Sequence, residues 1–165
     1  MNRSHILGID PGLRQTGWAI LEVDKNSFQY ISSGTIKSRS EDDLHNRLYT
    51  IYKELEKVID EYQPKDVAIE ETFVNKNPKT SLTLGQTRGA ILTVIGSKGK
   101  KLFHYTANQI KKMITGYGHA DKNGIQQSLK FFFKIVPPFQ TNDEADAIAI
   151  ALTHYFINFK TNDII

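Results

Sequence analysis

The sequence contains no cysteine. That excludes disulfides, thiol nucleophiles and cysteine-based zinc sites, and it suits a reducing compartment. No apolar stretch approaches membrane-spanning length. Met1-Asn2-Arg3-Ser4-His5 has no apolar run behind it of the kind a signal peptide needs. Five histidines are present (His5, His45, His104, His119 and His154), but none is paired at a metal-binding spacing, and none is assigned to a site. Acidic residues nearly vanish from the middle of the chain. Residues 72–142 carry 11 Lys and Arg against one acid, Asp121.

What is present is ordinary in bulk. The 165 residues are 39% hydrophobic and 24% charged, which fits one globular domain over 1–165 with a real core and a frayed tail from about 160. The charge distribution is less ordinary. Residues 1–71 carry 9 Lys and Arg against 13 acids, and residues 143–165 set Lys160 against Asp143, Glu144, Asp146 and Asp163. A basic middle between acid-bearing ends fits a polyanion held against a carboxylate site. A solvated basic face with no partner fits the charge count equally well.

The local patterns place the acids. Ile6-Leu7-Gly8-Ile9-Asp10 reads as a buried strand with a carboxylate at its mouth, broken by Pro11-Gly12. Thr16–Val23 and Phe28–Ile36 read as further strands, with Gly34 as a bulge, and their short connections imply an antiparallel meander. Ser40–Asp43 reads as a helix start, and apolar positions from Leu44 to Tyr62 keep helical spacing until Pro64. Val67-Ala68-Ile69-Glu70 repeats the strand-then-acid pattern, and a strand after a helix implies a parallel crossover. Glu71 should face away from Glu70, because strand side chains alternate.

The second half reads mainly as helices. Thr80 or Ser81 is expected to cap a helix in which Gly85 and Gly89 share a face, which calls for close approach of another helix, within the chain or across a dimer. Leu102–Tyr105 is a last strand. Thr106 and Gln109 form a capping box, Gly116 ends that helix, and Asp121 caps another to about Lys134 in which Phe131-Phe132-Phe133 packs in the core. The last helix runs from about Asp143 to Phe159 with Asn142 as cap, and its first turn puts Asp143 and Asp146 on one face.

Asp10, Glu70, Asp143 and Asp146 therefore end strands or open a helix. If they converge, their mutual repulsion needs compensation. Hard oxygen donors without thiolate select Mg²⁺ or Mn²⁺, and two such ions can activate a water and stabilise the leaving oxygen of a phosphodiester. Singly, each acid also has a local reading: a turn former, a surface strand end, or a helix-start charge.

Gly8-Ile9-Asp10-Pro11-Gly12 with Thr16-Gly17-Trp18 resembles the opening of the RuvC family of Holliday-junction endonucleases. So, in order, do Ala68-Ile69-Glu70, Gly85-Gln86-Thr87-Arg88-Gly89, Gly116–Lys122 and Asp143-Glu144-Ala145-Asp146-Ala147. The resemblance spans about residues 5–157. It implies an α/β RNase H-like fold, with a mixed five-stranded sheet flanked by helices. It implies a bacterial cytoplasmic homodimer that cuts four-way DNA junctions by paired symmetric nicks with Mg²⁺, alongside the RuvA–RuvB branch-migration motor. Asp10, Glu70, Asp143 and Asp146 match the family's catalytic acids, Lys111 and Lys122 its functional lysines, and Phe73 its base-stacking aromatic. Glu71 stands where some members carry an uncharged residue. Rival readings are another RNase H-like nuclease, a non-catalytic junction-binding module, and a sugar-kinase-like phosphotransferase. The last is disfavoured by the short chain and the lack of a Walker-type glycine loop.

Overall fold

The computed structural model describes residues 3–71, 77–119, 121–133 and 139–160. Phe73, Lys134, Pro137 and Pro138 lie outside these, as does the tail from 161. β1 (Ser4–Asp10), β2 (Gln15–Val23) and β3 (Phe28–Lys37) form the expected antiparallel meander. β4 (Asp66–Glu70) pairs parallel with β1, and β5 (Lys101–Tyr105) pairs parallel with β4. The sheet order is β3-β2-β1-β4-β5. The helices are α1 (Leu44–Tyr62), α2 (Pro78–Ser97), α3 (Ala107–Thr115), α4 (Lys122–Phe132) and α5 (Asn142–Asn158).

The alternation of strand side chains sorts the core into two layers. Leu7, Ile9, Ile20, Val67 and Ile69 pack with α1 and α2. Ile6, Ala19, Leu21 and Ala68 pack on the opposite face with α3, α4 and α5. Asp10 keeps the parity of Ile6, and Glu70 that of Ala68, so both acids end their strands on the α5 side. Each is the last residue of its strand.

Two glycines let α5 lie directly on the sheet. A Cβ on Gly8 would run into the Ala147 carbonyl and the Ala151 side chain, and one on Gly17 into the Asp143 carbonyl. Beyond Asp10, the Pro11-Gly12 turn is held by Thr16, whose hydroxyl donates to the Gly12 carbonyl at 2.7 Å.

The structure corrects several local expectations. Gly34 is not a bulge. It pairs with Trp18, and a Cβ there would sit 2.8 Å from the indole ring. The register slips elsewhere, between Ile20 and Leu21, where Ile31 is skipped. α1 starts at Leu44, after the acidic run, with Asp43 as N-cap and no acid in its first turn. α2 starts earlier than expected: Asn77 accepts from the Lys79 and Thr80 amides, and Pro78 suits the first helical turn. Thr141, not Asn142, caps α5 by accepting from the Glu144 amide. The Thr106–Gln109 capping box, the left-handed Gly116 and the Asp121 cap form as expected. Of the three phenylalanines, Phe133 is buried, Phe132 packs on Phe156, and Phe131 is 89% exposed.

At the far end of α5 from its acids lies a buried polar group that the sequence did not single out. His154 is fully buried. Its Nε2 sits 3.3 Å from Asp66 Oδ2, its Nδ1 lies 2.8 Å from the Tyr105 hydroxyl, and the Asn158 amide donates to that hydroxyl at 2.9 Å. These contacts are all satisfied by a neutral ring that donates to Asp66 and accepts from Tyr105. Burial lowers the His154 pKa, and this outweighs the opposing pull of Asp66.

Two expectations follow. Gly17→Ala should destabilise the fold by about 1–3 kcal/mol through forced overpacking, measured by urea unfolding. His154 binds its proton less readily folded than unfolded, so below its ordinary value of 6.5 the unfolded chain takes up the extra proton. Stability contributed by His154 is therefore complete above that pH. It should fall by up to about 1.4 kcal/mol per pH unit as pH drops toward the lowered folded value. In a pH series of urea melts, His154→Gln should flatten this slope.

Candidate active site

The opening of β1 and β4 toward α5 forms a cleft of about 300 Å³. Asp10, Glu70 and Asp146 line it, together with Lys111, Ala107, Ile110 and Ile125. Asp10 and Glu70 arrive as the ends of neighbouring parallel strands. Asp146 comes from the first turns of α5, held there by the close approach at Gly17. Lys111 comes from α3, whose start is fixed by reciprocal Thr106–Gln109 bonds. Spacing of three and four then puts Ala107, Ile110 and Lys111 on one helix face. Ile110 and Ile125 are almost wholly buried and give the cleft an apolar wall.

Three of the four expected acids thus share one cavity with one of the expected lysines. Asp143 is half-buried one turn before Asp146 and is not among the lining residues. Its carbonyl instead meets the sheet at Gly17. Glu144, between them, faces away. It is buried, and accepts from Ser33 Oγ at 2.9 Å and Thr141 Oγ1 at 3.2 Å, which ties the start of α5 to β3. Thr35 and Thr141 add a hydroxyl contact at 2.9 Å. Glu71 is exposed just beyond β4, which ends at Glu70, so the alternation expected of a continuing strand does not apply to it. Phe73 lies outside the described residues. Lys122 is the first residue of α4, and its side chain is likewise outside the description.

The donor set suits a hard divalent cation, since it offers carboxylate oxygen and no sulfur. Among the described residues, no three His, Asp or Glu side chains stand close enough to hold a metal ion as they are placed. Asp10, Glu70 and Asp146, which line the cleft, are the residues that could hold such a cation. The positive end of α5 points toward the same region and favours anionic groups there.

Ile110 and Ile125 were not legible as cleft walls, because apolar positions at helical spacing carry no signal of a cavity beside them. Thr141 was missed because the adjacent Asn142 is an equally good cap by type. Nothing in the pattern around Glu144 announced a structural acid inside an acidic motif.

Comparison with known proteins bears on the whole chain. The sequence model of the family described as "Crossover junction endodeoxyribonuclease RuvC" matches residues 6–154. A Rickettsia felis protein of that name is 49% identical over 148 residues, covering 90% of this chain and 95% of its own. Its namesake from Rickettsia akari is 46% identical over 155 residues, covering 94% and 99%. Thermus thermophilus RuvC, solved in complex with Holliday junction substrate, superposes with a TM-score of 0.83 at 27% identity, over 93% of this chain and 94% of that one. The yeast mitochondrial Holliday junction resolvase shares the fold with a TM-score of 0.67 at 10% identity, over 91% of this chain and 78% of that one.

Proposed function

The chain belongs to the RuvC family, and from that premise we propose how its cleft cuts DNA. As a family member it is an endodeoxyribonuclease that resolves four-way junctions by paired symmetric nicks. The observation that carries the assignment of its site is the meeting of Asp10, Glu70, Asp146 and Lys111 in one cavity. We take residues 1–165 as one nuclease domain.

Asp10, Glu70 and Asp146 hold the divalent cation, Mg²⁺ by preference with Mn²⁺ as substitute, and Asp143 joins them from the preceding turn. Bound there as a pair, such ions supply Lewis-acid chemistry that activates water and stabilises a leaving oxygen. Lys111 presents its ammonium to a phosphate at the cleft, and Lys122 does so from the start of α4. Ile110 and Ile125 exclude bulk water from one wall, which strengthens charge interactions inside. Phe73 stacks on an unpaired base at the crossover.

The homodimer reading has support in α2. Thr87, Ile91, Val94 and Ile95 are its buried side. On the other side Leu82 is 64% exposed, and a Cβ added to Gly85 or Gly89 meets nothing within 4 Å. Packing among the described residues does not account for these glycines, and a second copy seated along this face would. No helix among the described residues is long and apolar enough to cross a membrane. Work in the bacterial cytoplasm at the nucleoid, beside RuvA–RuvB, completes the proposal.

The decisive assay offers a synthetic four-way junction, a linear duplex and an RNA–DNA hybrid, each with and without Mg²⁺. Cutting of the junction alone, and only with the cation, is expected; equal cutting of duplex or hybrid defeats the junction reading. Asp146→Asn should abolish nicking, with a loss of at least about 100-fold, while junction affinity in a gel-shift experiment survives. For the dimer, Gly89→Trp should weaken self-association at least tenfold, about 1.4 kcal/mol, in sedimentation equilibrium. An unchanged dimer constant would remove α2 from the interface.

A further inference from the structure

Arg88 on α2 is a half-buried cation that the site described so far does not use. Its Nη1 donates to the main-chain carbonyl of Glu70 at 2.7 Å, and its Nη2 meets His104 Nδ1 on β5 at 2.6 Å. The β1–β4 ladder ends at the Ile9–Ile69 pair, one residue before Glu70. On the other edge, the Glu71 amide donates to the Tyr105 carbonyl at 2.8 Å. The end of β4 thus leaves the β1 ladder just where it presents its acid, and a guanidinium takes up the Glu70 carbonyl.

We propose that Arg88 is a positioning residue for Glu70, clamping the end of β4 to α2 and β5 so that the Glu70 carboxylate stays aimed into the acidic cleft. The inference rests on the nuclease reading and adds a residue to it.

The chemistry requires arginine rather than any cation. A planar guanidinium spreads its donors in a fixed fork, so one group can hold a carbonyl and an imidazole nitrogen at once. A lysine ammonium is a point donor and cannot reproduce that bridge. The contact at His104 Nδ1 needs that nitrogen to be an acceptor, so the ring carries its proton on Nε2. Burial lowers the Arg88 pKa, and the neighbouring Glu71 opposes this; the group stays charged, as arginine does in proteins. A solvated surface arginine would have neither prong occupied.

The test compares wild type, Arg88→Gln, Arg88→Lys and His104→Ala. Cleavage of a four-way junction is measured in Mg²⁺, junction affinity in Ca²⁺, and amide hydrogen exchange over residues 67–71 without DNA. For Arg88→Gln, turnover should fall roughly 10- to 100-fold, as expected when a reacting group is displaced by about 1 Å. Junction affinity should stay within about threefold of wild type, since a positioning residue does not contact phosphate. Exchange at the end of β4 should quicken at least about tenfold, with α5 unchanged, because local opening there loses an anchor. Arg88→Lys should recover only part of both effects.

His104→Ala removes one prong at an exposed position and should shift the same readouts by a smaller factor. It decides the matter if Arg88→Gln does not fold, and no shift in it then overturns the proposal. Unchanged turnover and exchange in Arg88→Gln overturns it too. So does a fall in affinity matching the fall in turnover with exchange unchanged, because Arg88 would then be a DNA contact. A wild-type protein that nicks no junction defeats the nuclease reading, while the exchange arm still decides whether Arg88 holds β4.

Discussion

The structure depends on how closely one helix lies against one sheet. At Gly8 and Gly17 the strands present no side chain, and the backbone of α5 occupies the space. This contact runs from Asp143 through Ala147 to Ala151, so it fixes the height of the helix and its rotation together. Alanines on that stretch of α5 are almost wholly buried. Interiors are packed at crystal-like density, so a helix seated this way has little freedom to slide. Because Asp143 and Asp146 ride on its first turn and a half, glycine clearance sets where they stand relative to the ends of β1 and β4.

α5 is held at both ends as well as along its length. At its start, Thr141 caps it, and Glu144 reaches back to Ser33 on β3. At its end, His154 joins Asp66, Tyr105 and Asn158. Each tether is a buried polar group with partners, and such groups cost far more when orphaned than they contribute when paired. Their value is therefore specificity of placement. A helix shifted by one residue would leave a carboxylate unpaired at one end and an imidazole at the other. Asp66 has one carboxylate oxygen buried without a hydrogen-bond partner. That leaves its contact with His154 as the principal restraint on the group.

Much of this could be read from the sequence because each element carried its own signal. Strand-then-acid patterns at Asp10 and Glu70, the capping box at Thr106 and the break at Gly116 are local, and local signals survive folding. Parity along β1 and β4 then gave the facing of the two acids. What could not be read depends on contacts between distant segments. Gly34 looks like a bulge until the Trp18 ring is seen to occupy its Cβ position. The structural role of Glu144 shows only when Ser33, more than a hundred residues earlier, is found donating to it. Arg88 stood inside a motif that marked the family without showing what it grips. Asp143 shares a helix face with Asp146, as spacing required, yet a shared face did not place both in one cavity.

Bringing carboxylates together has an electrostatic cost. Two like charges about 4 Å apart repel by about 4 kcal/mol at the effective dielectric of a protein surface. Three drawn to ligand distance would consume much of a net stability that is typically about 5–15 kcal/mol. Among the offsets are a helix N-terminus, which contributes about 0.3–1 kcal/mol at an exposed site, and Lys111, which lines the same cavity. Among the described residues, no group of three His, Asp or Glu is near enough to hold a metal. A divalent cation changes the sign of the balance, because each carboxylate is then attracted to the centre rather than repelled from its neighbours. α5, seated on Gly8 and Gly17, fixes where Asp146 enters that balance.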